Sequence, residues 1–152
     1  MYLRADLHER EDSCFEVGDC PEEEELSIQG EGLEERTEAF FASIVQGDWD
    51  AAKEKIHPSA SAVQNVAGEE TNARQLLDSM RLLVESLDGL AYENVRRVVG
   101  PDAVAEQHDV CTRRKDGTEV RLDVCIILRF DGDGRIVRID EYFDSAAASR
   151  LQ

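Results

Sequence analysis

The stretch VRLDVCIILRFDGDGRIVRIDEYFD, residues 120–144, decides the fold. Val120, Leu122, Val124, Ile126, Leu128 and Phe130 fall at every second position, the period of a strand with one face in a core. Asp131-Gly132-Asp133-Gly134 supplies a tight turn, and Ile136 to Phe143 runs back as the partner strand. Upstream, Leu90 to Val99 and Ala103 to Arg113 read as two more strands, punctuated by Gly100-Pro101-Asp102 and Lys115-Asp116-Gly117. Earlier still the period changes. Leu33, Phe40, Phe41, Ile44 and Val45 share a helical face that Gly47 ends. Asp48 caps a short helix from Trp49 to Ile56, with His57 at its end and Pro58 as its stop. Ser59 to Val66 is a short extended run. Asn72 caps a third helix, striped by Leu76, Leu77, Met80, Leu83, Val84 and Leu87. Helices first and strands after make the class α+β. The expected architecture is a curved antiparallel sheet wrapped around three helices, with a cone-shaped cavity between them.

The chain has 152 residues and a formal net charge of −17, which suits one domain of ordinary size. So acidic a balance argues against a nucleic-acid partner, because phosphate binding needs clustered Lys and Arg. No run of about 18 apolar residues occurs, so no membrane span is expected. Residues 1–36 hold 13 Asp and Glu against 3 Arg, a net of −10. Residues 1–30 lack apolar periodicity and read as an acidic, weakly ordered arm, leaving 31–152 as the folded domain. The first residues carry no apolar secretory core, so a cytoplasmic setting with reduced thiols is expected. Cys14 and Cys20 are too far apart for a zinc hook, and Cys111 and Cys125 lie in strands, so no metal is expected.

The element order and the phrase DGRIVRIDEYFD, residues 133–144, resemble the nuclear-transport-factor-2-like superfamily. Within it the chain is similar to the SnoaL-like group, which includes polyketide cyclases and limonene epoxide hydrolase. The resemblance spans about Leu33 to Ala148. It implies a cofactor-independent enzyme acting on an apolar, oxygenated small molecule, by epoxide opening or by cyclisation or isomerisation. The alternative it implies is a non-catalytic module of the same fold that binds a ligand or dimerises. Epoxide hydrolases of this group carry Tyr-x-Asn on the first strand, and Val63-Gln64-Asn65 matches with the Asn kept. They carry Arg-x-Asp on a middle strand, where Gln107-His108-Asp109 keeps the Asp. Their water-activating Asp corresponds to Glu141. Relatives commonly dimerise through the open sheet face, which would make Cys125, Ile127 and Arg129 interface residues of a homodimer.

Strand parity gives the candidate site. In Ala103 to Arg113 one face carries Ala103, Ala105, Gln107, Asp109 and Cys111, a small polar surface suited to a cavity wall. In the last strand Val137, Ile139, Glu141 and Phe143 share a face, so Glu141 lies between apolar neighbours, where burial raises a carboxyl pKa. Asp109 and Glu141 are therefore the expected acid–base pair. Asn65 and Gln107 would bond the water or a carboxyl group. Val63, Phe40, Phe41, Trp49, Met80, Tyr92 and Phe143 would contact a hydrophobic substrate. If the strand register is shifted by one, His108 enters the cavity and replaces Asp109. Arg121 and Asp123 lie opposite Val120, Leu122 and Val124 in parity and are expected to face away from the cavity.

Overall fold

The computed structural model describes residues 32–151; the acidic arm expected over residues 1–30 lies outside the described residues. Helix α1, Leu33–Val45, buries Leu33, Phe40, Phe41 and Ile44 on one face, with the Thr37 hydroxyl returned to the Leu33 carbonyl at 2.8 Å. Gly47 adopts a φ of 73°, a left-handed backbone that lets the chain reverse at once into helix α2, Trp49–Glu54. The Asp48 carboxylate accepts from the Ala51 N–H at the start of α2.

Strand β1, Ile56–Gln64, begins earlier than expected, and His57 belongs to it instead of capping a helix. Pro58 does not simply stop α2: it sits in β1 where the pairing with the final strand slips, a place that needs no ladder N–H. Strand β2, Glu70–Asn72, is only three residues long and carries no alternation to betray it. Helix α3, Ala73–Glu85, starts where Asn72 accepts from the Arg74 and Gln75 N–H groups. Arg74 then donates to the Ile56 carbonyl at 2.6 and 3.0 Å, pinning α3 to β1.

Strands β3, Leu90–Val99, β4, Ala103–Arg113, β5, Glu119–Phe130, and β6, Ile136–Phe143, form the meander. Helix α4, Ser145–Ala148, is capped by Asp144. The sheet order is β2-β1-β6-β5-β4-β3. One expectation is corrected here. The sheet is mixed, because β1 pairs with β6 in parallel while every other pairing is antiparallel. The crossover from β1 to β6 carries the rest of the chain, which frees β1 from hairpin geometry.

The alternating residues of β5 are all buried, from Leu128, fully enclosed, to Phe130. Leu122, Val124, Ile126, Leu128 and Phe130 join Phe40, Phe41 and Ile44 of α1 and Leu77 of α3 in one apolar core. The register across β5 sets the faces of its neighbours. Ile126 stands opposite Glu106 on one side and Glu141 on the other, and Val124 stands opposite His108 and Phe143. Among the described residues no helix is long and apolar enough to cross a membrane.

Candidate active site

Four strands and two helices line a small cavity on the inner face of the sheet, β1 contributing Ile56. Phe40, Phe41 and Ile44 of α1 and Leu76, Leu77 and Met80 of α3 close it from above. Tyr92 of β3, His108 and Val110 of β4, and Ile139 and Glu141 of β6 form its floor. Its volume is about 50 Å³, room for a water molecule or two.

Glu106 anchors the polar side of this floor. Its side chain is fully buried, and it joins two partners. Arg97 Nε donates to one carboxylate oxygen at 2.6 Å, and His108 Nδ1 lies 2.6 Å from the other. With its other oxygen accepting from the guanidinium, the Glu106 carboxylate takes a hydrogen from His108 Nδ1, which leaves Nε2 as the ring nitrogen not bound to Glu106. The imidazole is held between Phe41, 5.1 Å away edge-on, and Tyr92, 4.4 Å away and tilted. A ring so packed and bonded has one orientation.

Glu141 lies on the neighbouring strand. Gln64, its direct register partner on β1, donates to Glu141 Oε2 at 2.5 Å. Burial pushes the Glu141 carboxyl above the usual carboxylate range, opposed by the Gln64 hydrogen bond. Burial likewise raises the Tyr92 phenol, helped by the negative charges of Glu141 and Glu106, so Tyr92 holds its proton. The second Glu141 oxygen, His108 Nε2 and the Tyr92 hydroxyl bond to no other described residue.

The Asp109 expectation is corrected by the register. Asp109 pairs with Asp123 of β5 and therefore shares the outer face, not the cavity. There it accepts from Asn94 at 2.7 Å and is clamped by Arg121. The Asn94 hydrogen bond holds its carboxyl below the usual carboxylate range, with Arg121 acting in the same direction against partial desolvation. Gln107, opposite Cys125, lies on that outer face too, in a broad open depression that also includes Asp123 and Tyr142. Val63 pairs with Asp140 and has the outward parity. Asn65 is exposed and exchanges two hydrogen bonds with the Phe143 backbone, at 3.0 and 3.1 Å, so it fastens the end of β6. Trp49 and Phe143 pack against the core without lining the cavity. Phe40, Phe41, Met80, Tyr92 and Glu141 do line it, together with His108, the residue that a one-step shift brings in. Arg121 and Asp123 face outward as parity indicated.

Gln64, Glu106 and Arg97 were missed. The first two were signalled: moved one residue toward the N-terminus, the epoxide-hydrolase comparison falls on Ala62-x-Gln64 and Glu106-x-His108, both in the inward frame. Arg97 was hidden by a bulge. Between Glu93 and Arg96 the β3–β4 register slips, with Asn94 at a φ of 53°. That slip changes the parity of β3, so Tyr92 and Arg97 both reach the inner face although they stand five positions apart, an odd spacing. Among the described residues no three His, Cys, Asp or Glu side chains gather into a metal-binding group.

Comparison with known proteins agrees with this architecture. The SnoaL-like domain profile matches residues 37–139. No curated protein matches the sequence at a significant level. Among solved structures, PrhC from Penicillium brasilianum superposes with a TM-score of 0.70 at 17% identity, covering 81% of this chain and 87% of that one. A proposed polyketide cyclase of Xanthomonas campestris gives 0.69 at 14%, covering 82% and 99%. An LEH-like epoxide hydrolase of M. tuberculosis gives 0.63 at 19%, covering 84% and 90%. At such identities the likeness speaks for the fold.

Proposed function

The chain belongs to the SnoaL-like domain family, and on that footing we propose that it is an enzyme for acid–base chemistry on an apolar, oxygenated small molecule. One observation carries the reading: a buried carboxylate, itself paired with Arg97, holds His108 by Nδ1 in the lining of an apolar cavity that also holds Glu141. Neutral His108 Nε2 is the base and removes a proton from an acidic C–H or from water. Glu141, whose proton burial retains to higher pH, is the acid and donates to the substrate oxygen that becomes enolic or leaves. Tyr92 donates a further hydrogen bond to that oxygen. Gln64 holds Glu141 in place. In an isomerisation the imidazolium reprotonates carbon and the carboxylate takes back the enol proton; in a cyclisation the carbanion adds to the carbonyl that Glu141 protonates, and the imidazolium proton then passes to the carboxylate. In epoxide opening, water gives His108 a proton and attacks carbon as the ring C–O bond breaks and Glu141 protonates the departing oxygen; the imidazolium proton then passes to the Glu141 carboxylate, so the net change is addition of water. The structural relatives, a proposed polyketide cyclase and an LEH-like epoxide hydrolase, fit these two chemistries. No step requires a cofactor.

The test is turnover on a panel of apolar epoxides and of ketones and lactones with acidic C–H bonds, run in deuterated water and read by mass spectrometry. Hydration or deuterium uptake is expected for at least one compound, falling about 100-fold or more in His108→Gln and in Glu141→Gln. Full activity in His108→Gln would remove the base assignment.

The cavity volume favours a second reading. Space for a water or two does not hold a substrate unless α3 shifts, so a binding module of the same fold is the alternative. A panel compound that binds and is released unchanged by wild type and both variants would establish it. We also propose a homodimer through the outer sheet face. Ile127 lies in one row there with Ala105 and the 73% exposed Val98, an apolar strip that a second copy would cover. Sedimentation at micromolar concentration decides it; a monomer would refute it.

A further inference from the structure

We propose that Arg97 is a positioning residue that keeps His108 neutral, and so able to accept a proton, by serving as the permanent counter-ion of Glu106. The inference rests on the reading of His108 as the base and adds the device that sets its basicity.

Glu106 is fully enclosed, and an enclosed carboxylate needs a positive partner. Two candidates touch it, one on each oxygen, both at 2.6 Å. The guanidinium cannot give up its proton, whereas the imidazole can. With Arg97 in place the negative charge is already met, and a second cation on His108 would be repelled by the first. Glu106 then only orients the ring through Nδ1–H. Without Arg97 the least costly counter-charge is a proton on His108, which would remove the lone pair needed for catalysis.

The surroundings add little to compete with this. From β3, Tyr92 faces the ring and keeps its proton. From β6, Glu141 lines the same cavity as the ring, a carboxyl whose proton burial retains to higher pH. From β5 the opposite residue is Val124, and from α1 the neighbour is Phe41, both apolar. Glu38 of α1 reaches only Arg97, at 3.8 Å, and is itself largely exposed. Arg97 stands directly opposite Glu106 in the ladder because of the β3 bulge, and its side chain is 14% exposed, so solvent screens the pair weakly.

The experiment follows the His108 ring by NMR across pH; three histidines occur in the chain, and His108→Gln assigns the signal. Arg97→Gln is expected to raise the His108 midpoint by about one unit or more, a tenfold gain in proton affinity, while Arg97→Lys stays close to wild type. Glu106→Gln is expected to lower it. An unchanged or lowered midpoint in folded Arg97→Gln overturns the proposal. Should that variant not fold, the double variant Arg97→Met/Glu106→Gln leaves no buried charge and is compared with Glu106→Gln alone. A higher midpoint in the double variant supports Arg97 as the source of repulsion, and equal midpoints overturn it. The titration needs no substrate, so its failure removes only the role of Arg97. Full turnover by His108→Gln would remove the base itself.

Discussion

Replacing Glu141 with Gln should make the protein more stable at neutral pH while it loses activity. The carboxyl is buried against the cavity, and burial raises its pKa in the folded state above that of the unfolded chain. Between the two values the native protein holds a proton that the unfolded chain releases. Wild-type stability attributable to this group is therefore complete below the unfolded value, about 4.3, and is lost as pH rises through the folded value. The loss amounts to about 1.4 kcal/mol for each unit by which the two differ. Gln keeps the shape, still accepts from Gln64 through its amide oxygen, and has nothing to titrate. For a chain of this size each such unit corresponds to about 3–5 °C in Tm. Thermal unfolding of both proteins at matched buffers from pH 4.5 to pH 8 isolates the effect, because the large background charge is common to both. The Tm advantage of Glu141→Gln should widen steadily with pH. A constant gap, or one that closes as pH rises, would mean that Glu141 is comfortably ionised in the fold and is no general acid.

The remaining expectations are simpler. Asp109→Asn removes a carboxylate from the outer face, away from the cavity, so turnover of any substrate found should stay within about twofold of wild type; a loss approaching that of His108→Gln would return Asp109 to the site. Leu128→Ala empties a fully enclosed position in β5 and should cost about 2–5 kcal/mol in denaturant unfolding, with less than 1 kcal/mol contradicting its place in the core. Asn72→Ala removes the cap of α3 and should cost about 1 kcal/mol, read the same way, because two backbone N–H groups lose their acceptor.

The buried face of β5 was legible because six apolar residues at alternate positions leave no choice of face. The side of β4 was not. Ala103, Ala105 and Cys111 give one face a mildly apolar character, while the other carries Glu106 and His108, which pattern alone assigns to solvent. Only their mutual hydrogen bond and the guanidinium of Arg97 make those two tolerable inside. The decisive clue lay across the turn. A hairpin that sets Arg113 opposite Glu119 pairs even positions with even positions, so the buried even face of β5 fixes Glu106 and His108 as inward. Gln64 was displaced by the same one-residue error. The β3 bulge is a different matter, because nothing in Tyr92-Glu93-Asn94-Val95-Arg96-Arg97 states that the parity changes there, beyond an Asn that tolerates left-handed backbone. The parallel pairing of β1 and β6 and the three-residue β2 depend on contacts between distant segments, which local periodicity does not encode.

The nitrogen chemical shifts of the His108 ring, recorded on the unliganded protein near neutral pH, bear most directly on how this site works. A hydrogen on Nδ1, shared with Glu106, and an unprotonated Nε2 is the expected pattern. A hydrogen on Nε2 with a bare Nδ1, or a doubly protonated ring, would leave the cavity without its base.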